Sequence, residues 1–334
     1  MQYHKLGRAG PIVSALGCGT NILQKYTPAE VDRVLNYALD RGITLIETCR
    51  CYGAAESLIA RAVGHRRQEY TLISKTVHHT AAEVREDVET SLRTMGIERF
   101  DGYELAIVSE ADVEALLAAG GPIAELERLR DEGKIGTIGL TGHRPELLAQ
   151  AVRSGRIDHV LFILNWVQPH AAYELLPLAR ELGVGTMVMR PLGHGMLQPT
   201  ERAMRYVRSH SPDVILVGMY SPEEVDAAIA AMESPLSPEE AAELQQEQAE
   251  LPTADCRMCA LCKCPHEIDI PLLLLHQFYR ERYGLLPAGE REWQAKAPLA
   301  ARCDECGQCE AQCPYGLTII PYIRRVARQG SSSG

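Results

Sequence analysis

Eight cysteines in two short runs are the residues of this chain best equipped for chemistry. The downstream run reads Cys303-x2-Cys306-x2-Cys309-x3-Cys313-Pro314, and the upstream run reads Cys256-x2-Cys259-x2-Cys262-x-Cys264-Pro265. Three thiolates at two-residue intervals lie on one tight loop and offer sulfur to three corners of an iron–sulfur cubane. Two runs imply two 4Fe–4S clusters, with the fourth cysteine of each run serving the other cluster. Zinc also uses Cys-x2-Cys pairs, but takes its four ligands from two such pairs. Here each run carries four sulfurs and ends in Cys-Pro, which points to iron and to electron transfer. The upstream run is one residue short before its last cysteine, so Cys264 must reach its cluster differently from Cys313.

Composition bounds what surrounds these runs. A chain of 334 residues with 46% apolar content can build one large domain and a small appendage. No stretch of 18 apolar residues occurs, so no membrane-spanning helix is expected, and Met1–Lys5 carries no apolar leader. Outside the two runs only Cys18, Cys49 and Cys51 remain, which is the usage of a reduced, cytoplasmic protein and not of a disulfide framework. A net charge of −10 argues against nucleic-acid partners, since phosphate contacts need a basic face.

Short apolar runs alternate with amphipathic stretches from Leu16 to Gly218. Strands are expected at Leu16–Thr20, Thr44–Thr48, Thr71–Lys75, Gly102–Ile107, Ile135–Thr141, His159–Leu164, Gly185–Arg190 and Val214–Gly218. Thr27-Pro28-Ala29-Glu30 and Thr80-x2-Glu83 are helix starts with capping boxes, the first with proline at the first helical position. Eight β/α units in about 200 residues predict a (β/α)8 TIM barrel, not an open doubly wound sheet. No Gly-x-Gly-x2-Gly follows the first strand, which disfavours a Rossmann domain. The expected organisation is a barrel over 1–235, a connecting helix over 236–253, a small α-helical dicluster domain over 254–328 and a flexible tail over 329–334. Helices are expected at Ser221–Met232, Ser237–Leu251, Ile268–Gly284 and Glu290–Ala301.

The first part of the chain resembles the aldo-keto reductase family. Tyr3, Leu6-Gly7, Gly10, Val13-Ser14 and Leu16-Gly17-x-Gly19-Thr20 resemble its opening hairpin and first strand. Glu47-Thr48-x3-Tyr52-Gly53 followed by Ser74-Lys75-Thr76 resembles the segment carrying its catalytic tyrosine and lysine. Met189-Arg190-Pro191-Leu192-Gly193-x-Gly195-x-Leu197 resembles the phosphate-side loop after its seventh strand, and Val217-Gly218-Met219 its eighth strand. The cysteine-rich tail is similar to the family branch bearing a C-terminal ferredoxin-like dicluster domain.

The resemblance implies hydride transfer from NAD(P)H to a carbonyl, with Tyr52 as proton donor and Lys75 and Glu47 lowering its pKa. It implies that Thr20, Asn165, Arg190, Leu192, Gly193, Gly195, Gly218 and Ser221 line the nucleotide site. Three positions depart from the pattern. The family's aspartate is Glu47, its substrate-orienting histidine is Ala106, and Leu161 stands where a strand-six polar side chain holds the nicotinamide. Family members that replace this histidine reduce carbon–carbon double bonds, so a carbonyl or conjugated small-molecule substrate is expected. The mouth should also collect Cys18, Cys49, Cys51, His78, His79, His143 and His194, as ligands for a further metal or cofactor or as ordinary buried and solvated residues. Cys51, beside Tyr52 and near Lys75, is a candidate nucleophile. Two readings stay open: a reductase passing electrons through two clusters, with a ferredoxin-like protein as partner, and a non-catalytic electron-transfer or redox-sensing protein.

Overall fold

The computed structural model describes residues 1–250, 256, 259, 261–282 and 287–330. The last three residues of the expected linker (251–253), positions 254, 255, 257, 258, 260 and 283–286 of the expected dicluster domain, and the end of the tail at 331–334 lie outside the described residues.

Eight parallel strands close into a barrel: β1 (Leu16–Gly19), β2 (Leu45–Glu47), β3 (Thr71–Thr76), β4 (Phe100–Ile107), β5 (Ile135–Gly142), β6 (His159–Ile163), β7 (Gly185–Met189) and β8 (Val214–Val217). They follow one another in chain order, and β8 pairs with β1 to close the ring. All eight expected strands are present. Strands covered on both faces need apolar side chains on both, which is why Val160, Leu161, Phe162 and Ile163 are all buried. The helix starts behave as their sequences require. Thr27 and Glu30 form a reciprocal capping box with Pro28 in the first turn, and the Thr80 side chain accepts from the Glu83 amide.

An antiparallel hairpin, Tyr3–Lys5 with Ile12–Ser14, precedes the barrel. Its Leu6 and Val13 join one buried cluster with Leu45, Ile73, Leu161, Met187, Val214 and Leu216 from the barrel interior. This apolar plug closes the N-terminal end of the strands, so polar chemistry is confined to levels above it, toward the C-terminal mouth. Among the described residues, no helix is long and apolar enough to cross a membrane.

The chain divides into two compact units, the second made of Leu192–Gln198 together with Ala242 onward. Within that second unit, helices Ile270–Arg282, Pro287–Lys296 and Ile320–Gly330 surround a core that includes Ile268, Leu273, Trp293, Leu317, Ile319 and Val326. The helix expected over Glu290–Ala301 is broken. Its α-helical part ends at Lys296 and a 3-10 stretch runs over Ala297–Arg302, because Pro298 has no amide hydrogen to continue the ladder. Six of the eight run cysteines (Cys256, Cys262, Cys264, Cys303, Cys309 and Cys313) pack against this core. The two runs are tied together: the Lys263 amide donates to Gln312 Oε1 at 2.7 Å, and His266 Nε2 lies 2.9 Å from Asp304 Oδ2.

Candidate functional site

β2 ends at Glu47 and the chain then turns, with the Tyr52 amide donating to the Cys49 carbonyl at 3.0 Å. The Arg50 amide donates to the Lys75 carbonyl at 2.9 Å and pins this turn to β3. Lys75 is buried inside β3, where its ammonium bonds to Glu47 and, at 3.2 Å, to the Thr48 carbonyl. The same nitrogen lies 4.6 Å from the centre of the Tyr52 ring. The tertiary structure thus brings Tyr52, Lys75 and Glu47 together at the mouth.

The electrostatics depart from the expected lowering of the Tyr52 pKa. Burial, then the neighbouring Cys49, Cys51 and Glu104, holds the Tyr52 phenol well above its usual range, against a lowering influence from Arg190. Lys75 lies over the ring face of Tyr52. Its own pKa falls to about 8 because burial disfavours the ammonium, an effect opposed by the Glu104 carboxylate.

The residues expected to hold a nucleotide are largely engaged by the chain itself. Thr20, just past β1, is buried and its hydroxyl has no hydrogen-bond partner, so it alone presents an unsatisfied group. Asn165 is fully buried, donating to the Arg190 carbonyl at 3.0 Å and accepting from the amides of Val167 and Gln168. Arg190 sits at the end of β7 with a φ of 55°, a left-handed conformation uncommon for a residue with a Cβ. Leu192 is half-buried at the start of the loop carrying Gly193 and Gly195.

Within the second unit, the space that a Cβ on Gly193 would need is taken by the Tyr279 hydroxyl at 2.6 Å and by Leu197. On the barrel, the Tyr220 hydroxyl comes within 2.4 Å of the corresponding point on Gly218, and the Tyr220 ring stacks on Tyr26 at 4.7 Å. Ser221 caps the helix Pro222–Glu233, whose first turn carries Glu223 and Glu224. Two carboxylates at a helix N-terminus repel a phosphate. Tyrosine hydroxyls thus take the positions that a Cβ would occupy at Gly193 and Gly218.

The cysteines divide into two sets of four. Cys264, Cys303, Cys306 and Cys309 line one small cavity. Cys256, Cys259, Cys262 and Cys313 line another. The last cysteine of each run stands with the first three of the other. Among the described residues, no three His, Cys, Asp or Glu side chains converge as a single metal ion would require.

A family model for the aldo/keto reductase family matches residues 15–213. The chain belongs to the aldo/keto reductase family. A probable aldo-keto reductase 1 from Glycine max is 28% identical over 210 residues, covering 57% of this chain and 59% of that protein. The chain thus spans less than two thirds of that curated relative's length. An aldo-keto reductase from Bacillus halodurans, solved in its holo form, superposes with a TM-score of 0.64 at 24% identity, covering 74% of this chain and 96% of that one. An aldo/keto reductase from Klebsiella pneumoniae, solved with NADP and acetate, gives a TM-score of 0.62 at 23% identity, covering 75% and 97%.

A histidine, His79, stands beside Ala106. His79 Nε2 donates to the Ala106 carbonyl at 2.7 Å, while its Nδ1 lies 3.2 Å from Asp112. Both ring nitrogens are committed to the protein, so His79 fills the neighbourhood without presenting a free nitrogen. His78 is taken up by Asp87 at 2.7 Å, and burial pushes the Cys18 thiol up to about 12.

Sequence reasoning missed two residues of this aldo/keto reductase, Glu104 and His159. Both are fully buried inside the barrel, with His159 Nε2 3.3 Å from Glu104 Oε1, and neither carboxylate oxygen completes a hydrogen bond. Glu104 on β4 is the register partner of Lys75 on β3. The imidazole fits because its neighbours lack side chains: a Cβ on Gly139 would lie 2.2 Å from the ring and one on Gly102 3.0 Å. A charged residue flanked by inward glycines in otherwise apolar strands is the signal that marks such a pair. Lys75 therefore has carboxylates on two sides. If its charge supports proton transfer, activity falls as pH rises through about 8, where the ammonium is lost. In Glu104→Gln that alkaline limb moves to lower pH, because the carboxylate that favours the ammonium is gone. A pH–rate profile of the two proteins checks it.

Proposed function

We propose that this aldo/keto reductase is an oxidoreductase that reduces a carbonyl or conjugated small molecule at the barrel mouth, with electrons supplied through two 4Fe–4S clusters. The observation that carries this reading is the exchange of last cysteines: Cys264 stands with Cys303, Cys306 and Cys309, and Cys313 with Cys256, Cys259 and Cys262. Four thiols around each of two cavities suit the donor set of a cubane. When bound, the clusters supply electrons one at a time.

The barrel's own residues handle the proton. Tyr52 carries a phenolic proton held firmly by its surroundings, Lys75 and Glu47 keep an ion pair against its ring, and Arg190 favours the phenolate left after transfer. The bacterial relative solved with NADP supports a nicotinamide cofactor by kinship. The tyrosine hydroxyls at Gly193 and Gly218 argue against it here, so no step of the proposed reaction depends on one. The electron donor is then a small electron-transfer protein of ferredoxin type. The loss of the orienting histidine at Ala106 favours the second reading, an electron-transfer or redox-sensing protein without turnover. The small set of cysteines outside the runs agrees with a cytoplasmic setting.

Chemical analysis after anaerobic reconstitution tests the cluster assignment. We expect about eight iron and eight sulfide per chain. About four of each would mean that only one cavity is filled, and stoichiometric zinc without iron would overturn the assignment. Saturation by micromolar NADPH would restore the ordinary family chemistry.

A further inference from the structure

Cys49 and Cys51 flank Arg50 in the turn that carries Tyr52, and neither takes part in the proton chemistry above. Cys49 is buried and Cys51 exposed. The Cys51 amide donates to Cys49 Sγ at 3.2 Å, and the Tyr52 amide closes the turn onto the Cys49 carbonyl at 3.0 Å. The buried thiol hydrogen-bonds the exposed sulfur, which lowers the Cys51 pKa even though burial and the carboxylates of Asp87 and Glu56 oppose the thiolate. The same contact, with burial, holds the Cys49 thiol protonated. An exposed thiolate backed by a buried thiol is the asymmetry needed for attack followed by resolution.

We propose that Cys49 and Cys51 form a redox-active dithiol that exchanges with low-molecular-weight disulfides. The Cys51 thiolate attacks one sulfur of the disulfide, whose S–S bond breaks and releases one thiolate. Cys49 then gives up its proton and attacks Cys51 Sγ, expelling the second thiolate. The balance is two protein thiols and one disulfide going to one Cys49–Cys51 disulfide and two small thiols. Oxidation removes the thiolate charge that raises the Tyr52 pKa, so the state of the pair sets the acidity of the neighbouring phenol.

The exchange requires neither carbonyl turnover nor iron, so its test is independent of the function proposed above. The whole protein, kept anaerobic, is treated with oxidised glutathione and digested after lysine. The fragment Tyr26–Lys75 contains Cys49 and Cys51 and no other cysteine. The expected result is the loss of two hydrogen atoms from its mass, reversed by dithiothreitol. Glutathione retained on Cys51, or an unchanged fragment, would overturn the proposal. Cys49→Ala should slow alkylation of Cys51 by iodoacetamide about threefold or more, since the thiolate loses its hydrogen-bond donor. Equal rates would also overturn it. Should Cys49→Ala fail to fold, the glutathione experiment on the unaltered chain decides alone.

Discussion

Tyr52→Phe is expected to lower turnover with a chemical one-electron donor by about 10²–10⁴-fold, the range for removal of a positioned general acid. The substitution deletes one hydroxyl and leaves the ring over which Lys75 sits, so the contact at 4.6 Å survives. Visible absorption of the clusters and the far-ultraviolet circular dichroism should not change. A conjugated ketone and a simple aldehyde assayed side by side separate proton donation from substrate preference. Undiminished turnover in the variant would place the proton donor elsewhere and remove the barrel mouth from the reaction.

Cys309→Ala removes one of the four sulfurs lining the cavity shared with Cys264, Cys303 and Cys306. The expected result is loss of about half the iron, because the other four-cysteine set is left whole. Donor-driven turnover should fall to background, while thermal unfolding of the barrel, followed by near-ultraviolet signals, keeps its midpoint. Cys309 is also packed against the apolar core of its unit, so local loosening there is expected from the deleted sulfur and the missing cluster. Unchanged turnover with half the iron gone would make the cysteine unit structural and end the electron-transfer reading.

Much of this molecule is legible along the chain. The barrel strands announce themselves because burial on both faces demands continuous apolar runs, and Val160–Ile163 and Val214–Val217 satisfy that locally. Thr27 and Glu30 mark their helix start because both halves of a capping box lie within one turn. The cysteine spacing is equally local, as is the position of Tyr52 five residues after Glu47. In each case the partners are near in sequence, so their pattern survives without coordinates.

What the tertiary structure decided involves partners that only folding brings together. Glu104 and His159 meet across the barrel interior from β4 and β6, over glycines on β4 and β5 that no local pattern connects. The place of Lys75 on the ring face of Tyr52, and the direction in which Tyr52 is pushed, depend on Glu104, Arg190 and two cysteines gathered from several strands. Gly193 and Gly195 read as openings for a phosphate, since a missing Cβ leaves room whatever fills it. That the Tyr279 hydroxyl takes the room at Gly193 is a fact of packing, and a glycine cannot specify its neighbour. The exchange of Cys264 and Cys313 between the two sets is expected from the spacing of the runs, and folding adds the contacts that hold the runs side by side, such as Lys263 to Gln312.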